Sequence, residues 1–237
     1  MNNVKQCVII GGGLSIKEGI MAGLWDKLKD RFVIGINFSY KSYVPTFLTF
    51  VDSPTFYNLK NIHEEIATLP LIIGTPYQIT REQMLPNTIF IPSTNNYIRD
   101  LSKGVYSSRL SGMYALSLAI HLVGQGEIFL LGYDMGTITK DKDEKGKDIT
   151  HYYQGRINHA GIGKTHYYKI PRRDEIDFGI YKNERDVKIY NVSPKSNLSV
   201  FEKIDYQTFF SKLDNQQYNQ DQLRAEIKTI FKIYLPI

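Results

Sequence analysis

Short unbroken apolar runs, most of them ending on a polar residue, alternate with amphipathic stretches along this chain. Val8-Ile9-Ile10 runs into Gly11-Gly12-Gly13-Leu14-Ser15, and an amphipathic segment from Ile16 to Leu28 follows. Phe32 to Ile36 ends on Asn37, Phe47 to Val51 ends on Asp52, and Leu71-Ile72-Ile73 and Thr88 to Ile91 read as two further strands. A helix is expected near Ser53-Pro54, where proline suits a first helical position. Ser111 to Ile120 is a small-residue helix, Glu127 to Leu131 is a strand that leads to Gly132-Tyr133-Asp134, and Val187 to Asn191 is another. Runs without strict alternation belong to strands buried on both faces, so the pattern predicts an α/β fold with a mostly parallel sheet and helices on both faces.

From Gly136 to Arg173 this periodicity stops and charges, glycines, histidines and tyrosines take over. A stretch of that length is too long for a plain connection, and its place after a strand's carboxyl end predicts a flap over 135–173. The remainder forms one domain over 1–215, and 216–237 is expected to be a closing helix on or beside it. The chain has 237 residues, enough for one substantial core, with 42% hydrophobic and 22% charged residues. No apolar run approaches the roughly 18 residues of a membrane span, and no signal peptide is expected at Met1-Asn2-Asn3. One cysteine, Cys7, allows no internal disulfide and points to a reducing cytoplasm. The net charge of +5 is dispersed rather than gathered into a stripe, which suits an anionic small molecule at least as well as nucleic acid, and no nucleic-acid partner is expected. A homo-oligomer is left open.

The chemistry begins at the glycine bend. Three glycines permit a sharp turn and a close approach of backbone to ligand, and the next helix starts with unpaired N–H groups that suit phosphate. The dinucleotide fingerprint fails, because Ile16 stands where its third small residue belongs and Asn37 replaces the acid that ends the second strand. Gly163-Lys164-Thr165 lacks the spacing of a phosphate loop. In a parallel sheet the ligand crevice lies at the carboxyl ends of strands, so Gly11, Gly12, Gly13, Ser15, Asn37 and Asp52 should share one rim. His63 and His121 are read as bystanders. Asp134, at another strand end, serves either the chemistry or the fixing of its loop. His151, His159 and His166 have neither the pair spacing nor the cysteines of a zinc site.

Arg109-Leu110-Ser111-Gly112 opening a helix, Glu127-Ile128 leading to Leu131-Gly132-Tyr133-Asp134, the His-Tyr-rich flap, and Ile189 to Leu198 together resemble a superfamily. It comprises the family 42 sialyltransferases, the flagellin nonulosonic acid transferases and the 6-hydroxymethylpterin pyrophosphokinases, and the compact length is similar to that of phage-encoded members of unknown activity. The resemblance implies a Rossmann-like nucleotide site, with Gly11, Gly13 and Ser15 near phosphate, Asn37 and Asp52 near the nucleoside, and Arg109, Ser111 and Gly112 at the opposite wall. It implies glycosyl transfer from a CMP-type nucleotide-activated sugar to a hydroxyl acceptor. His151 or His159 would be the general base, Tyr152 and Tyr153 would steady the departing phosphate, and no cofactor would be required. Asp52 stands where the sialyltransferases carry asparagine. With Asp134 it leaves open a magnesium-dependent pyrophosphokinase, Mg²⁺ being held by the two carboxylates. A nucleotide-binding protein without turnover is the third reading.

Overall fold

The structure, a computed structural model, describes residues 4–51, 66–76, 87–107, 110–135, 141–142, 148–149, 151–153 and 177–234. Its centre is an eight-stranded sheet in the order β12-β11-β8-β1-β2-β3-β4-β5. These strands are β1 (Gln6–Ile10), β2 (Val33–Ile36), β3 (Phe47–Thr49), β4 (Ile72–Thr75), β5 (Thr88–Phe90), β8 (Gly126–Leu131), β11 (Val187–Asn191) and β12 (Glu202–Lys203). Each neighbouring pair is parallel, so the sheet is parallel throughout. Two small ladders stand outside it: β6 (Ser93–Thr94) with β7 (Val105–Tyr106), and the antiparallel pair β9 (Asp141–Lys142) and β10 (Asp148–Ile149) within the flap.

The chain lays down β1 to β5 outward in one direction, then returns to place β8 on the other side of β1. That reversal between β1 and β8 is the topological switch point, and at its carboxyl end a crevice opens in such sheets. Alternate residues of each strand feed different cores. Cys7, Ile9, Ile34, Phe47 and Leu130 face α3 (Ser111–Val123), while Val8, Ile10, Val33, Phe129, Leu131 and Tyr190 face α1 (Ile16–Met21), α2 (Leu24–Leu28) and α4 (Tyr206–Lys212). Residues 113–120 of α3 are all buried, which explains its small residues and its closeness to β1, β2 and β8.

The single helix expected over Ile16 to Leu28 is two. Gly23 adopts φ +81° and ends the first at Ala22, whose N–H reaches back to Glu18 and Gly19, before α2 begins. The closing helix expected over 216–237 is present, and a shorter helix precedes it. Asp205 caps the short helix α4 by accepting the Thr208 N–H at 2.7 Å, and α5 (Gln220–Tyr234) starts after Asn219, whose Oδ1 accepts from Asp221 and Gln222. Leu223, Ile227 and Phe231 of α5, four residues apart, enter the same core as α3, with Phe231 6.0 Å from Phe47. The helix expected near Ser53-Pro54, together with His63, lies outside the described residues. No helix among the described residues is long and apolar enough to cross a membrane.

Candidate functional site

The glycine bend follows β1 directly and is fastened to the chain leaving β8. Gly11 donates its N–H to Leu131 O at 2.8 Å and Gly13 to Gly132 O at 2.9 Å. A Cβ on Gly11 or Gly13 would collide with that backbone, which is the physical reason for glycine at both positions. Asn37, one residue past β2, holds φ +54° and donates its N–H to Thr49 O. Its Oδ1 is buried with no hydrogen-bond partner among the described residues.

Asp134 fills the seat at the start of α1. Its carboxylate accepts the Ser15 N–H at 2.9 Å and the Ser15 hydroxyl at 2.5 Å, and it also accepts from the Ser193 hydroxyl and the Leu14 N–H. A Cβ on Gly13 would overlap this carboxylate. Burial raises the Asp134 carboxyl above its ordinary value, and the Ser15, Ser193 and Leu14 donors offset part of that rise. The amides expected to receive a ligand phosphate are therefore bonded within the protein. A carboxylate ringed by donors has the surroundings of a helix cap; those of a cation would be the reverse. No group of three or more His, Cys, Asp or Glu side chains among the described residues is placed to hold a metal ion.

Consecutive residues tie the two faces of the sheet together here. Asp134 reaches Ser15 on the α1 side, while Tyr133 donates its hydroxyl to Gly112 O at 2.9 Å on the α3 side. Beside it, Ser111 Oγ accepts the Val51 N–H at 3.2 Å, so the start of α3 stands at the end of β3. The turn after β11 braces this span: Ser196 donates to Tyr133 O, and the Asn197 N–H and Nδ2 donate to Asp134 O and Met135 O. Sequence reasoning did not assign Ser193 to Asp134. Matching a serine to a carboxylate 59 positions earlier needs the strand register, which no local pattern carries.

Flap residues 151–153 lie over the bend. Tyr152 donates its N–H to Gly12 O at 3.0 Å, and a Cβ on Gly12 would overlap the His151 ring. His151 stacks on Tyr153 with ring centroids 5.2 Å apart, and Tyr153 meets Phe38 edge-on at 6.3 Å, beside Asn37. Of the expected site residues, the structure thus gathers Gly11, Gly12, Gly13, Ser15, Asp134, His151, Tyr152 and Tyr153 at the switch point. Asn37 is linked to them through Phe38, and Ser111 and Gly112 through Tyr133. Asp52, Arg109 and His159 lie outside the described residues.

Parallel order, the reversal at β1 and β8, and helices on both faces define a Rossmann-like α/β domain. Comparisons with protein-family models, with curated proteins and with solved structures find no match.

Proposed function

We propose that the protein is a nucleotide-dependent transferase that moves a glycosyl group from a CMP-type activated sugar to a hydroxyl acceptor at the carboxyl rim of its sheet. The observation that carries the reading is the His151 imidazole seated on Gly12 at the switch point, where the Asp134 carboxylate is engaged by the Ser15 N–H and hydroxyl. In the proposed step His151 takes the acceptor hydroxyl proton and the acceptor oxygen bonds to the anomeric carbon. The bond from that carbon to the phosphate oxygen breaks, and the electron pair leaves with the nucleotide. The Gly12 N–H, which makes no hydrogen bond among the described residues, and the Tyr153 hydroxyl supply donors for the departing charge. Asp134 holds the bend that presents Gly12, and no metal enters the step.

Calorimetry against CMP, UMP, ADP and ATP, with donor hydrolysis as the turnover assay, tests this reading. Binding of one nucleotide is expected, together with a His151→Ala protein that retains the affinity and loses turnover. Turnover that survives EDTA fits the glycosyl-transfer step; turnover abolished by EDTA and restored by Mg²⁺ would favour pyrophosphoryl transfer. Failure to bind any of the four overturns the proposal.

A further inference from the structure

Among the described residues Asn191 alone has a buried amide with both Oδ1 and Nδ2 lacking a hydrogen-bond partner. The residue is 0% exposed. Ser39, Thr88 and Tyr206 each leave only a hydroxyl in that state, and a hydroxyl turns about its bond to suit its neighbours. A planar amide cannot, and native proteins leave few such groups unmet.

Its place in the sheet gives this debt a direction. Asn191 ends β11 in phase with Val187 and Ile189, on the α3 side, and is level with Leu130, itself level with Ile9. Gly132 at the rim is two residues beyond Leu130, so the amide lies about 7 Å below the rim at strand rise. Asn37, with its own unmet Oδ1, follows β2, so the two asparagines bracket the β8 and β1 pair from outside. The α3-side layer around β8 and β11 holds Ile128, Leu130, Ile189, Leu198 and Phe201. Three polar pairs of that face are engaged with one another: Ser117 with Tyr181, Tyr114 with Ile91 O and Tyr133 with Gly112 O.

We infer that Asn191 is a substrate-reading residue whose amide pairs with an adjacent donor and acceptor on the ligand, the edge offered by a nucleobase or by a sugar N-acyl group. The inference rests on the transferase reading and names the chemistry that its cleft recognises. An amide presenting one acceptor and one donor in a fixed plane discriminates such an edge from a plain hydroxyl or a methyl group.

Asn191→Leu keeps the branched shape of the side chain, with larger terminal groups, and removes both polar atoms. Calorimetry of wild type and variant is run in two arms, one with CMP, UMP, AMP and GMP, the other with N-acetylated and free amino sugars in the presence of the nucleotide that binds. The variant is expected to lose at least about tenfold in affinity in one arm, and that arm identifies the group read. Without ligand its Tm is expected to rise by about 2–4 °C, because an unmet buried amide has been removed. Affinities within about twofold of wild type in both arms overturn the inference and leave nucleotide binding standing. Wild-type protein that binds no probe overturns both. If the variant does not fold, wild type is titrated with N-methylated forms of the probes that bind it. Blocking the edge should then cost the same tenfold, and equal affinity overturns the inference.

Discussion

Replacing Asp134 tests whether a side-chain carboxylate, rather than a ligand, completes the glycine bend. Asp134→Ala withdraws the acceptor shared by the Ser15 N–H, the Ser15 hydroxyl, the Leu14 N–H and the Ser193 hydroxyl. The two serine hydroxyls can turn to other acceptors, but the two N–H groups are fixed in a bend that is mostly buried. Each stranded N–H costs about 1–2 kcal/mol, so the alanine variant should lose about 3 kcal/mol in urea unfolding. Asp134→Asn retains one acceptor oxygen for the Ser15 N–H and turns an amide toward the Ser15 hydroxyl, which can accept, so the expected loss is about 1 kcal/mol. The pH dependence has a definite sign. Burial raises the native carboxyl above its unfolded value of 3.8, so on acidification the native state takes up its proton first. Wild type therefore gains on Asp134→Asn as pH falls through the native value toward 3.8, and the gap stays constant below that. Formate, a small carboxylate, should raise the Tm of Asp134→Ala and leave wild type unchanged. Unfolding of Asp134→Ala within about 0.5 kcal/mol of wild type would refute the capping role.

Two further predictions concern the packing that carries the site. Burial, reinforced by Arg99 and opposed by Asp100, lowers His121 from 6.5 to about 4, so it is neutral in the native state while the unfolded chain protonates first. That stability is present above 6.5 and lost as pH falls toward 4, with about 2 kcal/mol lost between pH 8 and pH 5, and His121→Gln should flatten this slope in urea titrations. Identical slopes in the two proteins would dismiss the assignment. Gly19 lies where α1 meets the Tyr206 ring, which a Cβ would overlap. Gly19→Ala should cost about 1–2 kcal/mol net, since crowding outweighs the helix-propensity gain, and should become neutral or stabilising beside Tyr206→Leu. A cycle without such coupling would show that Tyr206 moves aside freely.

The doubly buried strands were the most legible part of the chain. Phe32 to Ile36 and Phe47 to Val51 have no exposed residue to interrupt them, Val187 to Asn191 has only Lys188 exposed, and each appears in the sheet within two residues at either end. Less legible was Gly23, because an amphipathic pattern continues across a left-handed residue without changing phase. The two-residue strands β6, β7 and β12 are too short to carry any periodicity. At the site, strand ends could be read as one rim because parallel order follows from the apolar runs. Which side chain occupies the bend could not, since Asp134 and Ser15 are 119 positions apart and meet only through the β1 and β8 register. Asn191 carried a faint signal, an amide in phase with Val187 and Ile189 on a buried strand, where a hydrophobic residue belongs.

A glycine-rich turn before a helix is commonly read as a phosphate seat, and here the same geometry serves an internal anion. Asp134 neutralises the start of α1 as a phosphate would, and α1 with its six residues has only a small dipole to offer a second charge. The N–H groups of Gly11, Gly13, Leu14 and Ser15 are committed to Leu131, Gly132 and Asp134. What the bend still presents is Gly12, flanked by His151 and Tyr153. A ligand anion in this crevice would therefore be met on the flap side of the bend, with α1 serving as a support. Under that geometry Gly12→Ala, whose Cβ would displace the imidazole, should damage the site more than loss of the Ser15 hydroxyl, the reverse of the order expected for a phosphate loop.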